Sequence, residues 1–320
     1  MKFEASGPAA LGLNFIAAIC CIFVNRRLLK PPVSFQLPIT LTLVGYAASV
    51  VGVKICGQLG MIPRRNRMQK HNRRSVRLAP LIVTSALSPA LANYSLLVNS
   101  VGVYQLSKVL VTAAIVMLEF NKTGRLLSSE RVACLMIVSA GVAVVTVGDV
   151  SMSIFGLVVA GMNIWVAGFY KVEWALTCKL HGYQSLELMA DVMPKSTVLL
   201  FIMALAMEWN QISQYHFTER TLGLLCLCGL TAFLTSWSGY VVISSLSPLT
   251  HQILGQAKTC IILLVGHAIF HSELSSVQLS GALVAMGAMV AYTHFSLQDN
   301  PLLPRLQVSS ALSRSGVFVI

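Results

Sequence analysis

Ten apolar stretches of membrane-crossing length succeed one another along this chain, at residues 9–24, 35–59, 78–98, 101–120, 132–148, 154–177, 188–207, 222–243, 251–270 and 277–295. A helix needs about 20 apolar residues to cross a bilayer. Only helices and closed barrels satisfy every backbone polar group inside one. Runs of this length, divided by short polar breaks, predict an all-α membrane protein with ten transmembrane helices. The first and fifth runs are short and need flanking polar residues to complete a span. Composition agrees: the 320 residues are 56% hydrophobic and 11% charged, with mean hydropathy +0.75. Soluble domains carry about 25% charged residues, and a water-soluble fold of this make-up would expose large apolar patches.

The net charge is +12, from 23 Lys and Arg against 11 Asp and Glu. Such a balance often marks a nucleic-acid binder. Here seven basic residues and no acid fall in one loop, PRRNRMQKHNRRSVR at 63–77. Basic loops between apolar runs mark the cytosolic side. The partner to expect is therefore the lipid bilayer, and no nucleic acid. Two runs precede that loop, so the N-terminus (1–8) is cytosolic too. Ten runs bring the tail (296–320) back to the same side, as a short disordered segment. Lys122, Arg125 and Arg131 agree with this orientation, while Arg26, Arg27 and Lys30 are exceptions on the far side. The sequon Asn121-Lys122-Thr123 is then cytosolic and unused. The eight Cys form no Cys-x-x-Cys, so no metal or other cofactor is expected.

The two halves resemble each other. LLSSERVACLMIVSAGVAVVTV (126–147) can be laid on ELSSVQLSGALVAMGAMVAYTH (273–294), with Leu127/Leu274, Ser128/Ser275 and Ser129/Ser276 all 147 residues apart. Tyr104-Gln105 and His251-Gln252 have the same offset. Lys108 and Lys258 are 150 apart, which asks for three extra residues in the second copy. Five spans per half, at 9–148 and 154–295, would insert the halves in opposite orientations. That is an inverted-topology repeat, whose binding site lies near mid-membrane between the copies.

A lysine within a membrane helix costs roughly 2.5–3.5 kcal/mol on insertion scales. Lys108 and Lys258 both lie about two turns into apolar runs, with no acid near in sequence. Snorkelling to an interface or bracing a neighbouring helix would explain one lysine at a helix end. Two at matching depth point to an anionic ligand between them. A phosphate or diphosphate fits, since Lys binds phosphate as a point charge. Polar and aromatic residues flank the pair: Tyr104 and Gln105 before Lys108, His251 and Gln252 before Lys258, Thr259 after it, Ser236, Trp237 and Ser238 in the eighth run, and Asn25 ending the first. Aromatics can stack on a base, and amides can read its edge or a sugar hydroxyl. Each alone is as easily explained by helix packing. With no firm mid-span carboxylate to carry a proton, exchange of one anion for another by alternating access is the expected mechanism.

Several of these stretches resemble a known family. SPLTHQILGQAKTCIILL (247–264) is similar to the ninth-helix signature of the triose-phosphate/nucleotide-sugar translocators, within the drug/metabolite transporter superfamily. NSVGVYQLSKVLVTAAIVMLE (99–119) resembles the fourth helix, FQLPITLTLVGY (35–46) the second, and AYTHFSL (291–297) the end of the tenth in solute carrier 35 members. Lys258-Thr259 matches the Lys-Thr pair of one subgroup. The resemblance implies a carrier of UDP-sugars, such as UDP-galactose, UDP-rhamnose or UDP-xylose, that exchanges them for UMP across the Golgi membrane, or alternatively that of the endoplasmic reticulum. It implies substrate phosphates held by Lys108 and Lys258, and leaves a homodimer open. Plastid phosphate translocators carry Lys-Arg at this place, which argues against a triose phosphate. Two departures bear on the sugar and base: Gly45 stands where relatives often have His, and Ser236-Trp237-Ser238 where they often have Asn-aromatic-Ser. A sugar-phosphate or other organic-anion carrier and a non-transporting scaffold are the rival readings. No paired carboxylates or nucleophile–base set suggests an enzyme.

Overall fold

Each apolar run forms one helix in a computed structural model of the chain, which describes residues 7–29, 33–35, 37–62, 77–99, 101–124, 127–146, 153–270 and 276–298. The helices are α1 (Gly7–Leu29), α2 (Pro38–Gln58), α3 (Ala79–Val98), α4 (Val101–Thr123), α5 (Ser129–Thr146), α6 (Ile154–His181), α7 (Ser185–Gln214), α8 (Glu219–Ser245), α9 (Pro248–Phe270) and α10 (Ser276–Gln298). Among the described residues there is no strand. Most of the basic loop and of the two terminal segments lies outside the described residues.

The helix ends follow the local chemistry. Proline needs no N–H partner in a first turn, and α2 begins on Pro38. Its exposed N–H groups are met by a distant residue. Glu208 accepts from Ile39 N and Thr40 N, both at 2.7 Å, and from Thr40 Oγ1 at 2.6 Å. A carboxylate at a helix N-terminus is favoured by the macrodipole. α7 runs on to Gln214, and Glu208 is buried within it. Ser153 caps α6 through Gly156 N, and Gly182, with φ of 60°, ends it in the left-handed conformation that glycine tolerates.

Polarity runs from the inside out. Asn14, Ser49, Ser85, Asn163, Lys171, Gln252, Gln256 and Lys258 are all buried, whereas Met136, Ile154, Phe155 and Val290 are exposed. In water the hydrophobic effect would drive the opposite arrangement. Hydrocarbon outside and polar groups inside are what a bilayer permits. By length and composition, α2, α6, α7 and α8 each suffice to cross one; α1 and α10 contain the shorter apolar segments Ala9–Asn25 and Leu279–Phe295. The chain is a multi-pass, all-α membrane protein.

The four largest helix interfaces obey a simple exchange rule, whereas α4 packs far more on α6 than α9 does on α1. The largest interfaces are α5 on α10, α1 on α8, α2 on α7 and α3 on α6. Replacing each helix by the one five places away turns α1–α8 into α6–α3 and leaves α2–α7 and α5–α10 unchanged. The rule also has a sequence register. Val101 and Pro248, which begin α4 and α9, are 147 residues apart, as are Ser129 and Ser276, which begin α5 and α10. Both α4 and α9 have 23 residues. The three-residue insertion expected from the lysines is therefore absent. At constant register Lys108 matches Gly255, and Lys258 matches Val111.

Candidate functional site

A cavity of about 350 Å³ opens between α2, α3, α4, α6, α8 and α9. Its shape begins with a proline. Pro89 in α3 has no N–H, so the Ser85 carbonyl loses its helical partner. The Tyr46 hydroxyl from α2 donates to that carbonyl instead, at 2.5 Å, and both Tyr46 and Pro89 line the cavity. Ser85 also exchanges a 2.9 Å hydrogen bond with Ser196 of α7, which ties the bent helix to its neighbour. Tyr240 lines the same side and stacks on Trp174, ring centroids 3.7 Å apart and 14° from parallel.

The opposite wall is cationic. Lys108 of α4 faces the cavity with its ammonium 4.3 Å from the centre of the Tyr104 ring, a cation–π distance. Lys171 of α6 also lines it, and donates to Gln252 Oε1 of α9. Gln252 in turn donates from Nε2 to the Lys108 carbonyl at 2.7 Å. One turn along α9, Gln256 donates to Thr112 Oγ1 at 3.0 Å. These two amides fasten α9 to α4. Among the described residues, no aspartate or glutamate lines the cavity.

Three polar atoms of the wall have no hydrogen-bond partner: Asn163 Oδ1, His251 Nδ1 and Gln256 Oε1. Leaving such groups unpaired is expensive in a low-dielectric interior. His251 owes its position to Gly239. A Cβ at that residue would lie 2.9 Å from His251 Nε2 and 3.2 Å from Asn14 Nδ2.

Of the residues that sequence reasoning proposed, Lys108, Tyr104, Ser236, His251 and Gln252 line the cavity. The side chain of Gln105 lies outside the described residues. The others are placed elsewhere. Lys258 is on the His251 face of α9, two turns on, where its ammonium donates to Asn14 Oδ1 at 2.5 Å. Asn14 also donates to Thr235 O at 2.8 Å and Ser238 Oγ at 3.0 Å, so Ser238 is committed to α1. Thr259 returns its hydroxyl to the Gly255 carbonyl at 3.4 Å. Trp237 stacks against Phe233, centroids 6.3 Å apart. Asn25 accepts from Cys228 Sγ at 3.1 Å. Helical spacing explains the eighth-helix outcome: Ser236, Gly239, Tyr240 and Ile243 share one stripe, which leaves Trp237 and Ser238 on other faces. Gly45 is buried against α8, where a Cβ would come within 3.0 Å of the Ala232 Cβ. A histidine has no room there.

Sequence reasoning missed Lys171, Asn163 and Asn14. The signal was the one used for Lys108 and Lys258, a cation or amide inside an apolar run. An acid within the sixth run, Glu173 of α6, pairs with Lys122 at the end of α4.

The sequence profile of the Triose-phosphate Transporter family matches residues 9–293. The chain is 32% identical over 308 residues to the Nucleotide-sugar uncharacterized transporter 1 of Arabidopsis thaliana, covering 96% of this chain and 78% of that one. It is 26% identical over 301 residues to the UDP-rhamnose/UDP-galactose transporter 1 of the same organism, covering 91% and 84%. A solved crystal structure superposes with a TM-score of 0.66 at 15% identity, over 89% of this chain and 98% of that one, which shows a common fold.

Proposed function

The chain belongs to the Triose-phosphate Transporter family, a family of transporters and not of enzymes, and from that premise we propose that it carries a nucleotide sugar across the Golgi membrane. A UDP-sugar enters in one direction and UMP leaves in the other. The observation that carries this reading is the cavity wall. Among the described residues it presents the cations Lys108 and Lys171 without carboxylates, tyrosine rings, and three polar atoms without a hydrogen-bond partner. Cations suit the phosphates, the rings suit a base, and Asn163, His251 and Gln256 suit the polar edges of base or sugar. A cavity of about 350 Å³ lies within the ~300–1,000 Å³ usual for small-ligand sites.

Lys108 and Lys258 hold the phosphates in this scheme, with Thr259 beside the second. Lys258 reaches them by exchanging Asn14 Oδ1, a neutral acceptor, for an anionic one. Ten spanning helices in two inverted five-helix repeats supply the alternating access. The constant 147-residue register and the exchange rule among helix neighbours support that arrangement.

The deciding measurement is counter-flow. Liposomes carrying the purified protein are preloaded with UMP, GMP, CMP or inorganic phosphate and offered labelled nucleotide sugars. Uptake of a UDP-sugar that depends on internal UMP is the expected result. Lys108→Ala and Lys258→Ala should each reduce exchange by at least about 100-fold while the protein stays folded. Well-folded protein that exchanges none of these pairs removes the reading. Two mutants that exchange normally would remove the phosphate assignment.

A further inference from the structure

Lys171 is the cavity residue that the scheme above leaves unused. It is 9% exposed and lies on α6, across from Lys108 on α4. Its hydrogen-bond acceptor is the neutral Gln252 Oε1. Gln252 is itself held by the Lys108 carbonyl, so one amide sets the position of both cationic helices at the cavity. Lys108 lines the same cavity, and among the described residues no carboxylate on the wall offsets the two charges. A buried ammonium compensated only by a neutral amide destabilises the protein that contains it. Such an arrangement makes sense when a ligand completes it.

We propose that Lys171 contacts the anionic end of the cargo directly and, with Lys108, makes the site selective for a doubly charged phosphate group, Gln252 being the residue that positions it. The proposal rests on the reading of the cavity as the cargo site. Lys108 with Lys171 forms a cationic face at the cavity itself, whereas Lys258 stands beyond its edge on Asn14. A single ammonium matches a monoanion. Two on adjacent helices match a terminal phosphate dianion, or the two charges of a diphosphate, as point charges with freely turning donors.

The test uses the full chain, purified, as wild type, Lys171→Met, Lys171→Arg and Gln252→Leu. Thermal unfolding is followed alone and with UMP, uridine or inorganic phosphate, and UMP affinity is measured by titration. Removing an uncompensated charge should raise, or leave unchanged, the melting temperature of Lys171→Met without ligand. UMP affinity should fall about tenfold or more, as expected for losing a charge-assisted hydrogen bond. Uridine, which lacks the phosphate, should bind as in wild type. Lys171→Arg should keep part of the preference for UMP over uridine. Gln252→Leu should weaken UMP binding less than Lys171→Met does. A Lys171→Met protein with an unchanged ratio of UMP to uridine affinity overturns the proposal, and so does one whose melting temperature drops while that ratio holds. If Lys171→Met does not fold, Lys171→Gln, which also removes the charge, decides by the same ratio. Failure of the wild type to bind any nucleotide would sink the nucleotide-sugar reading. In that event inorganic phosphate decides for Lys171: stabilisation lost in Lys171→Met supports an anion site, and stabilisation retained overturns it.

Discussion

The cavity wall of α4, α6 and α9 and the seam between α5 and α10 lie in the same molecule and are built on opposite principles. The wall is polar and electrically uncompensated, with Lys108, Lys171, Gln252 and three unpaired polar atoms. The seam contributes nothing to the cavity. There Gly141 and Gly281 bring two backbones together, and a Cβ on Gly141 would sit 2.8 Å from the Gly281 carbonyl oxygen. Ala282, Ala285 and Ala288 continue a buried small-residue surface with Val138 and Val142. Within a bilayer there is little hydrophobic drive between helices, so close packing of small residues holds them. The contrast teaches where to look in such a protein: small and apolar contacts hold it together, and the energetically awkward residues gather at the cavity.

Substitutions can break or sharpen that contrast. The largest effect on stability should come from Gly141→Leu. Two backbones must separate to admit the side chain, which puts the loss at ~3 kcal/mol, the upper part of the range for overpacking. Thermal unfolding in detergent should show a large fall in melting temperature and poor recovery of monodisperse protein. Near-normal stability would mean that the seam is not the rigid part. Next comes Glu208→Gln, which replaces the buried carboxylate capping α2. An amide keeps the size and loses the charge, so a loss of ~2 kcal/mol is expected, with the substrate KM in counter-flow unchanged. A changed KM would show that the α2 cap communicates with Tyr46 at the cavity. The smallest effect belongs to Lys122→Met. Its partner Glu173 and the Phe169 ring, 4.9 Å from the ammonium, are only partly shielded from solvent. A partly exposed pair contributes about 0.5 kcal/mol. A melting shift within a degree or two, fading further in high salt, would be consistent with that value.

Much of this was legible in the linear sequence because the bilayer leaves few choices. A run of apolar residues of the right length has to become a helix, and all ten do so. A lysine in such a run stands out by its insertion penalty alone, and that led to Lys108. Side-chain direction was not legible. Lys258 was expected at a shared site and is bound to Asn14, because α1 crosses α9 just beyond the cavity's edge. Ser238 and Trp237 belong to the expected motif but do not line the cavity with Ser236, since neighbours on a helix point about 100° apart. Gly45 read as a missing binding group, yet it is a close contact with Ala232, 3.0 Å from where a Cβ would stand.

The sequence by itself determined the class of protein, the order of its helices and the presence of cations inside them, because hydrophobicity, length and charge are properties of each segment alone. Tertiary structure decided which of those cations share a cavity, that Lys171 belongs among them, and that Asn14 holds Lys258. These are relations between α1, α4, α6, α8 and α9, set by where helices cross and which face each turns inward, and no single segment contains them.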